Sequence, residues 1–447
     1  MTVQAFPGQT FLDRISDKSA RIGVIGLGYV GLPLALACLK AGFRAIGYDI
    51  DGAKITALTE EQSYLPHIPV DGLGEKIATG DFLATSEIAD LGEADAVLIC
   101  VPTPLTPERD PDLRFVRDTA AVLAPVLKPG ALVVLESTTY PGTTDEVLRP
   151  VLEATGRMVG EDLFLAFAPE REDPGNQNYS IGRIPKVVGG VDEASGKLAV
   201  ALYSAVLEKV VPVSSAATAE AVKITENVFR AVNIALVNEL KVIYGAMDID
   251  IWEVIEAAST KPFGYMPFYP GPGLGGHCIP IDPFYLAWKA RSVGQSTRFI
   301  ELAGEINRAM PDYVIDRLRK AVDRQSGKGL NGADILLIGM AYKKNVADQR
   351  ESPALTILEK LQAAGAKTGF HDPWIPEVLP SREFGALAGG RSEDLTAERL
   401  SVADAVLIVT DHDDVDYGLI AEHARLVVDT RNTMRARGYE GTHIISA

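Results

Sequence analysis

The hexapeptide ADAVLI occurs twice, letter for letter, at residues 94 to 99 and 403 to 408. Each copy follows, by roughly 65 to 70 residues, an apolar run that ends in glycine: IGVIG at 22 to 26 and DILLIG at 334 to 339. The same strand order at the same spacing requires one architecture built twice. The first run continues as GLGYVGLPLALACLKAG and stops at Gly42, which reads as strand, turn and helix. FRAIGYDID follows as a second strand ending in Asp49, and ADAVLICVPTP (94 to 104) and ALVVLESTTYPG (131 to 142) add two more, with helix-length segments between them. Strands alternating with helices predict a parallel, doubly wound sheet. The C-terminal copy has its own acid after its second strand, Asp372 in GFHDP, but its turn reads GMAYKK.

In the first copy the turn is GLGYVG, with Gly26, Gly28 and Gly31 in the G-x-G-x-x-G spacing, Tyr29 and Val30 between them, and Asp49 18 residues beyond the last glycine. Gly26 permits the tight turn, Gly28 lets backbone approach a pyrophosphate, and Gly31 lets the helix pack close to the sheet. Asp49 accepts hydrogen bonds from the adenosine ribose in this arrangement and repels a 2′-phosphate, so NAD is expected rather than NADP. Between the two repeats the character changes. AATAEAVKITENVFRAVNIALVNELKVIYGAMDID, 216 to 250, is a long pattern with apolar residues at three- and four-residue intervals. The expected fold is α/β: an NAD-binding Rossmann-like domain over 1–212, a helical central region over 213–310 that carries a cysteine loop and a dimer interface, and a second Rossmann-like domain over 311–447.

With 447 residues, 47% of them hydrophobic, the chain can bury two or three full cores. A formal charge of -17 opposes nucleic acid and anionic membranes and leaves a small ligand as the expected partner. Three cysteines, Cys38, Cys100 and Cys278, are too few and too scattered for a disulfide framework or a four-ligand zinc site. The N-terminal stretch is charged where a signal peptide needs an apolar core, and no run reaches the ~18 apolar residues of a membrane span. The cytoplasm is the expected compartment.

Cys38 and Cys100 sit in apolar helix and strand contexts and read as small buried hydrophobes. Cys278 lies instead in GPGLGGHCIPIDP, 271 to 283, where glycines let backbone close on a ligand and N–H groups stabilise a thiolate. His277 and Cys278 lack further ligands for a zinc site, so no metal is expected. Asp282 follows four residues later, a spacing that shares a helical face, although Pro280 and Pro283 argue against a regular helix there. Lys223 and Asn227 stand one turn apart on the long helical pattern; by themselves they also fit a solvated stripe.

Together, GLGYVG, VPTP (101 to 104), ESTTYPGTT (136 to 144), APEREDPG (168 to 175), KITEN (223 to 227), GPGLGGHCIPIDPFYL (271 to 286) and YKKNVADQRESPAL (342 to 355) resemble the nucleotide-sugar 6-dehydrogenases. The resemblance implies NAD-dependent oxidation of the C6 alcohol of a UDP-sugar to a carboxylate, with Cys278 holding the intermediate aldehyde. It implies catalytic roles for Cys278, Lys223, Asn227, Asp282 and Glu170, hydroxyl positions near the nicotinamide at Thr103 and Thr138, and contacts to UDP or sugar from Arg171, Gly275, Lys343 and Arg350. UDP-glucose dehydrogenases carry a second glutamate where this chain has Pro174. EREDPGN and MPFYPGPGLGGHCIP resemble the branch acting on UDP-N-acetylhexosamines, UDP-N-acetylglucosamine first, with UDP-N-acetylmannosamine, UDP-N-acetylgalactosamine and UDP-glucose as alternatives. A homodimer or higher homo-oligomer is expected from the long helix. Two other readings remain: a one-step β-hydroxyacid dehydrogenase, which needs no thiol in a glycine loop, and a non-catalytic NAD-binding module.

Overall fold

The computed structural model describes residues 8–65, 68–106, 109–171, 183–276, 279–381 and 383–447. Two compact units emerge, residues 1–226 with 284–295, and 227–283 with 296–447.

The first unit is built on an eight-stranded sheet of β1 (Arg21–Ile25), β2 (Arg44–Tyr48), β3 (Phe82–Thr85), β4 (Ala96–Ile99), β5 (Ala131–Leu135), β6 (Leu163–Phe167), β7 (Lys186–Gly190) and β8 (Val210–Pro212), in the order 3-2-1-4-5-6-7-8. All neighbours are parallel except β6 and β7. The order 3-2-1-4-5-6 is that of the dinucleotide-binding doubly wound sheet. Every residue of β4, β5 and β6 is buried, as a sheet covered by helices on both faces demands. Leu32, Leu34, Phe43, Phe164 and Leu198 pack on one side; Val116, Leu123, Leu148 and Leu152 pack on the other.

The second unit contains a five-stranded parallel sheet of β9 (Asp334–Ile338), β10 (Lys367–His371), β11 (Ala405–Ile408), β12 (Val427–Asp429) and β13 (Ile444–Ser446), ordered 10-9-11-12-13. A 30-residue helix, Ala216–Gly245, contains the point at which the chain passes from one unit to the other. The helix Arg298–Ser326 carries Pro311 in its interior. No helix among the described residues is long and apolar enough to cross a membrane.

The repeated hexapeptide has one structural job in both sheets. In the first, Asp95 N donates to Arg21 O at the start of β1 at 2.7 Å and Asp95 Oδ2 accepts from Arg21 N at 2.8 Å. In the second, Asp404 N donates to Asp334 O at 2.8 Å and Asp404 Oδ2 accepts from Asp334 N at 2.9 Å. Each aspartate thus ties the first strand of its sheet to the neighbour that follows it, β1 to β4 and β9 to β11, at the edge where both begin. Their surroundings differ. Asp95 is 5% exposed and pairs with Arg14 and Lys128, whereas Asp404 pairs with the exposed Lys328.

That difference sets a stability prediction. Asp95→Ala empties a buried acceptor position and leaves the Arg21 N–H without its side-chain partner, and is expected to cost about 2 kcal/mol; Asp404→Ala removes a more exposed acceptor and is expected to cost about 1 kcal/mol. Urea unfolding of the two variants measures this, and equal losses would contradict the burial argument.

Candidate active site

At the end of β1 the chain turns on Gly26, whose φ of 88° is in the left-handed region and whose N–H donates to Tyr48 O at 2.8 Å. A Cβ on Gly26 would stand 2.6 Å from Cys100 O, and one on Gly31 would stand 1.9 Å from Gly26 O. These two glycines are needed by the protein itself. Gly28 is different: nothing lies within 4 Å of the position its Cβ would take. The helix Gly31–Lys40 starts directly beyond it, with Val30 as a cap that offers no side-chain acceptor. Tyr29 and Val30 are half-buried in the same turn. Open space above a helix N-terminus whose first N–H groups are uncapped by side chains is what a pyrophosphate requires, so these residues fit NAD.

Asp49 follows β2 and is 5% exposed. Its Oδ2 accepts from Leu27 N at 2.8 Å and from Lys54 Nζ at 2.9 Å, and its Oδ1 accepts from Asp51 N at 3.0 Å. The carboxylate therefore holds the glycine turn in shape as well as presenting an acceptor. Lys54 is a partner that the sequence reading did not single out; only its five-residue distance from Asp49 pointed to it.

Thr103 and Thr138, 35 residues apart in sequence, are brought together: Thr103 Oγ1 donates to Thr138 O at 2.7 Å. Tyr285 OH donates to Thr103 O at 2.7 Å from the helix Asp282–Ser292. The loop after Thr138 is anchored by Glu220 on the long helix, whose carboxylate accepts from Gly142 N at 2.5 Å, Thr144 N at 2.8 Å and Thr144 Oγ1 at 2.6 Å. Burial pushes the Glu220 carboxyl up to about 7 against the lowering effect of these donors.

Glu170 and Arg171 follow β6. Glu170 Oε2 lies 3.1 Å from Lys186 Nζ, and Arg171 is held by Glu226 at 2.5 Å and by Pro185 O at 2.6 Å. Lys223 is buried, 7% exposed, so the solvated-stripe alternative is set aside for it. Pro174 lies outside the described residues, as do His277 and Cys278.

In the second unit Asn227 and Asp282, 55 residues apart, meet: Asn227 Nδ2 donates to Asp282 Oδ2 at 2.6 Å, with both residues 3% exposed. Asp282 opens the helix Asp282–Ser292. The expectation against a regular helix at this point is corrected. Pro283 falls in the first turn, where an N–H has no intrahelical partner, so the proline starts the helix instead of breaking it. The glycine loop and the basic segment also meet. A Cβ on Gly275 would lie 2.6 Å from Tyr342 Cβ and 2.9 Å from Glu351 O, and Gly276 N donates to Arg350 O at 3.0 Å. Lys343 is half-buried; Arg350 is exposed and pairs with Asp348 at 2.6 Å.

Comparison with known proteins places this geometry. Residues 20–207 match the NAD binding domain, 217–309 the central domain and 336–436 the UDP binding domain of the UDP-glucose/GDP-mannose dehydrogenase family. The protein is a dehydrogenase of UDP-sugars that uses NAD. More particularly, it belongs to the UDP-glucose/GDP-mannose dehydrogenase family. It is 34% identical over 421 residues to the UDP-N-acetyl-D-mannosamine dehydrogenase of Pyrococcus horikoshii, covering 93% of this chain and 96% of that one. Against the UDP-N-acetyl-D-glucosamine 6-dehydrogenase of Pseudomonas aeruginosa it is 36% identical over 370 residues, 82% of this chain and 86% of that one. A solved structure of a UDP-D-ManNAc dehydrogenase from Pyrococcus horikoshii superposes with a TM-score of 0.84 at 32% identity, covering 95% of this chain and 98% of that one.

The two glycines are expected to separate folding from cofactor binding. Gly28→Ala meets no protein atom, so it should leave thermal stability within about 0.5 kcal/mol of the parent while weakening NAD at least tenfold, ~1.4 kcal/mol. Gly31→Ala should lower both. Fluorescence titration with NAD beside thermal unfolding reads the two effects, and unchanged NAD affinity in Gly28→Ala would remove Gly28 from the cradle.

Proposed function

We propose that this enzyme oxidises the C6 alcohol of a UDP-N-acetylhexosamine to the uronic acid in two NAD-dependent rounds, with UDP-N-acetylglucosamine the favoured substrate. The observation that carries the reading is the buried Asn227–Asp282 hydrogen bond of 2.6 Å. A carboxylate fixed by a neutral amide keeps its charge and a set direction, as a group that orients or activates a water molecule must.

Bound NAD supplies a hydride acceptor once per round. Between rounds the Cys278 sulfur bonds to the aldehyde carbon as a thiohemiacetal, and the second oxidation leaves a thioester. Water positioned by Asp282 and Asn227 cleaves the carbon–sulfur bond and returns the thiolate. Lys223 stabilises the oxyanion of each tetrahedral species, and Glu170 takes the proton from the C6 hydroxyl. Gly26, Gly28, Tyr29, Val30, Gly31 and Asp49 hold the cofactor, with Thr103 and Thr138 near the nicotinamide. Arg171, Gly275, Lys343 and Arg350 serve the UDP-sugar. Exposed apolar residues of the long helix, Phe229, Leu236, Val242 and Ile243, support a homodimer.

The acetamido preference rests on EREDPGN and on the stretch Phe263 to Pro272. UDP-N-acetylmannosamine is the second reading, favoured by the name of the Pyrococcus horikoshii relative and the extent of its similarity.

Counting NADH per sugar with a panel of UDP-sugars tests the class: two per sugar are expected, and one would make this a single-step alcohol dehydrogenase. The kcat/KM for UDP-N-acetylglucosamine is expected to exceed that for UDP-glucose at least about tenfold, ~1.4 kcal/mol, because polar groups built for the acetamide are left unpaired by the smaller sugar. A larger kcat/KM for the manno epimer selects the second reading, and equal or better use of UDP-glucose overturns the branch.

Cys278→Ser is expected to lower turnover by several orders of magnitude while NAD and UDP-sugar affinities stay nearly unchanged, because a hydroxyl is a weaker nucleophile and a poorer acyl leaving group. Mass spectrometry of the serine variant reads any trapped ester, and near-normal turnover would remove the thioester from the mechanism.

A further inference from the structure

One cluster of charge in the first unit is left over by the roles assigned above. Lys186, at the start of β7, is 4% exposed, and its ammonium contacts two carboxylates: Glu136 Oε2 at 2.5 Å and Glu170 Oε2 at 3.1 Å. Glu136, which follows β5, is 1% exposed, and its other oxygen accepts from the fully buried Tyr203 hydroxyl on the helix Glu193–Val206. Glu170 follows β6, and its Oε1 accepts from Arg171 N at 2.7 Å.

Three neighbouring strands therefore deliver three charges to one point, and one ammonium serves two carboxylates. A buried ion pair is rarely the cheapest way to fill a core, since apolar residues of similar volume often do as well or better. The Glu136–Lys186 pair with Tyr203 already satisfies itself, so stability gives no reason to extend it to Glu170. Burial works against the Lys186 charge, yet Glu136 and Glu170 together hold its pKa above the ordinary lysine value. Burial likewise pushes the Glu136 carboxyl up, opposed by Lys186. The ammonium is therefore shared between the two acids.

We propose that Lys186 is a positioning residue for the oxidation, using the balance between Glu136 and Glu170 to fix the direction and charge of the Glu170 carboxylate. The proposal rests on the reading above that Glu170 takes the C6 hydroxyl proton. Among the described residues, the titratable and charged groups gathered with Glu170 include Lys186, Glu136 with its Tyr203 partner, the half-buried Cys100 thiol after β4, and the Arg171–Glu226 pair. Among these, Lys186 favours the ionised Glu170 and Glu136 opposes it, so neutralising each must move Glu170 in opposite directions.

The test is the pH dependence of kcat/KM for the parent, Lys186→Met, Glu136→Gln and Glu170→Gln, each checked for folding by thermal unfolding and for NAD affinity by titration. Loss of the ammonium is expected to move the acid limb to higher pH, on the order of one unit. Glu136→Gln is expected to move it to lower pH, and this near-isosteric variant carries the test alone should Lys186→Met fail to fold. Folded variants whose acid limb stays in place, with activity scaled uniformly, would overturn the proposal and leave a structural network. Glu170→Gln separates the two levels: a fully active variant with an unmoved limb defeats the Glu170 reading itself. An inactive Glu170→Gln beside immobile limbs in the other two defeats only the role of Lys186.

Discussion

In both sheets the aspartate after the second strand reaches across to the turn that follows the first, and the ligand-binding edge is shaped by that reach. Asp49 Oδ2 accepts from Leu27 N at 2.8 Å; Asp372 Oδ2 accepts from Met340 N at 2.6 Å and Ala341 N at 2.9 Å. The glycines just before are equivalent too, since Gly26 and Gly339 share a φ of 88° and each donates its N–H to the last residue of the neighbouring second strand. A carboxylate accepting backbone N–H groups in a buried turn is a strong, charge-assisted contact. It fixes the path of the chain as it leaves the first strand.

From that common start the copies diverge. In the first, the helix opens at Gly31, five residues after Gly26, and leaves open space at Gly28. In the second, the helix opens at Pro353, fourteen residues after Gly339, with Ser352 as its cap. The intervening residues carry Tyr342, Lys343 and Arg350, and the glycine loop at 275 and 276 packs on them. Asp372 is itself occupied by His412, whose Nε2 lies 3.1 Å away while Nδ1 accepts from Asn345 N at 2.9 Å. His412 and the turn N–H groups hold the Asp372 carboxyl below the ordinary aspartate value despite its burial. The same strand-turn geometry yields a dinucleotide cradle in one unit and a platform for a basic loop in the other.

Much of this was legible because it is local. Strand, glycine turn and helix at 21 to 40 are written in consecutive residues, and the repeated ADAVLI pairs the two sheets because each copy makes the same strand junction through Asp95 or Asp404. Contacts between distant segments were not legible. Nothing at Lys186 announces that it will sit between Glu136 and Glu170, because partners 50 and 16 residues away are chosen by strand order. The reversed direction of β7 against β6 was equally hidden, since a short apolar strand reads the same either way. At Pro283 residue type alone points to a helix breaker, and position in the first turn decides otherwise.

Lys223 and Asn227 show how context converts an ambiguous pair into a specific one. One turn apart on a helix, a lysine and an asparagine are ordinary surface residues. Here they are 7% and 3% exposed, and burying such groups costs several kcal/mol unless partners are provided. Asn227 finds its partner in Asp282, which the second half of the chain brings back to it. An amide in contact with a carboxylate donates a hydrogen bond without bringing a charge of its own, so it gives the aspartate direction. A lysine in the place of Asn227 would pair with Asp282 and quench it as a base, and an alanine would remove the amide donor. The asparagine is therefore the residue type that hydrolysis of an acyl-enzyme calls for beside its acid, which ties the chemistry proposed for this chain to the one buried contact that most needs explaining.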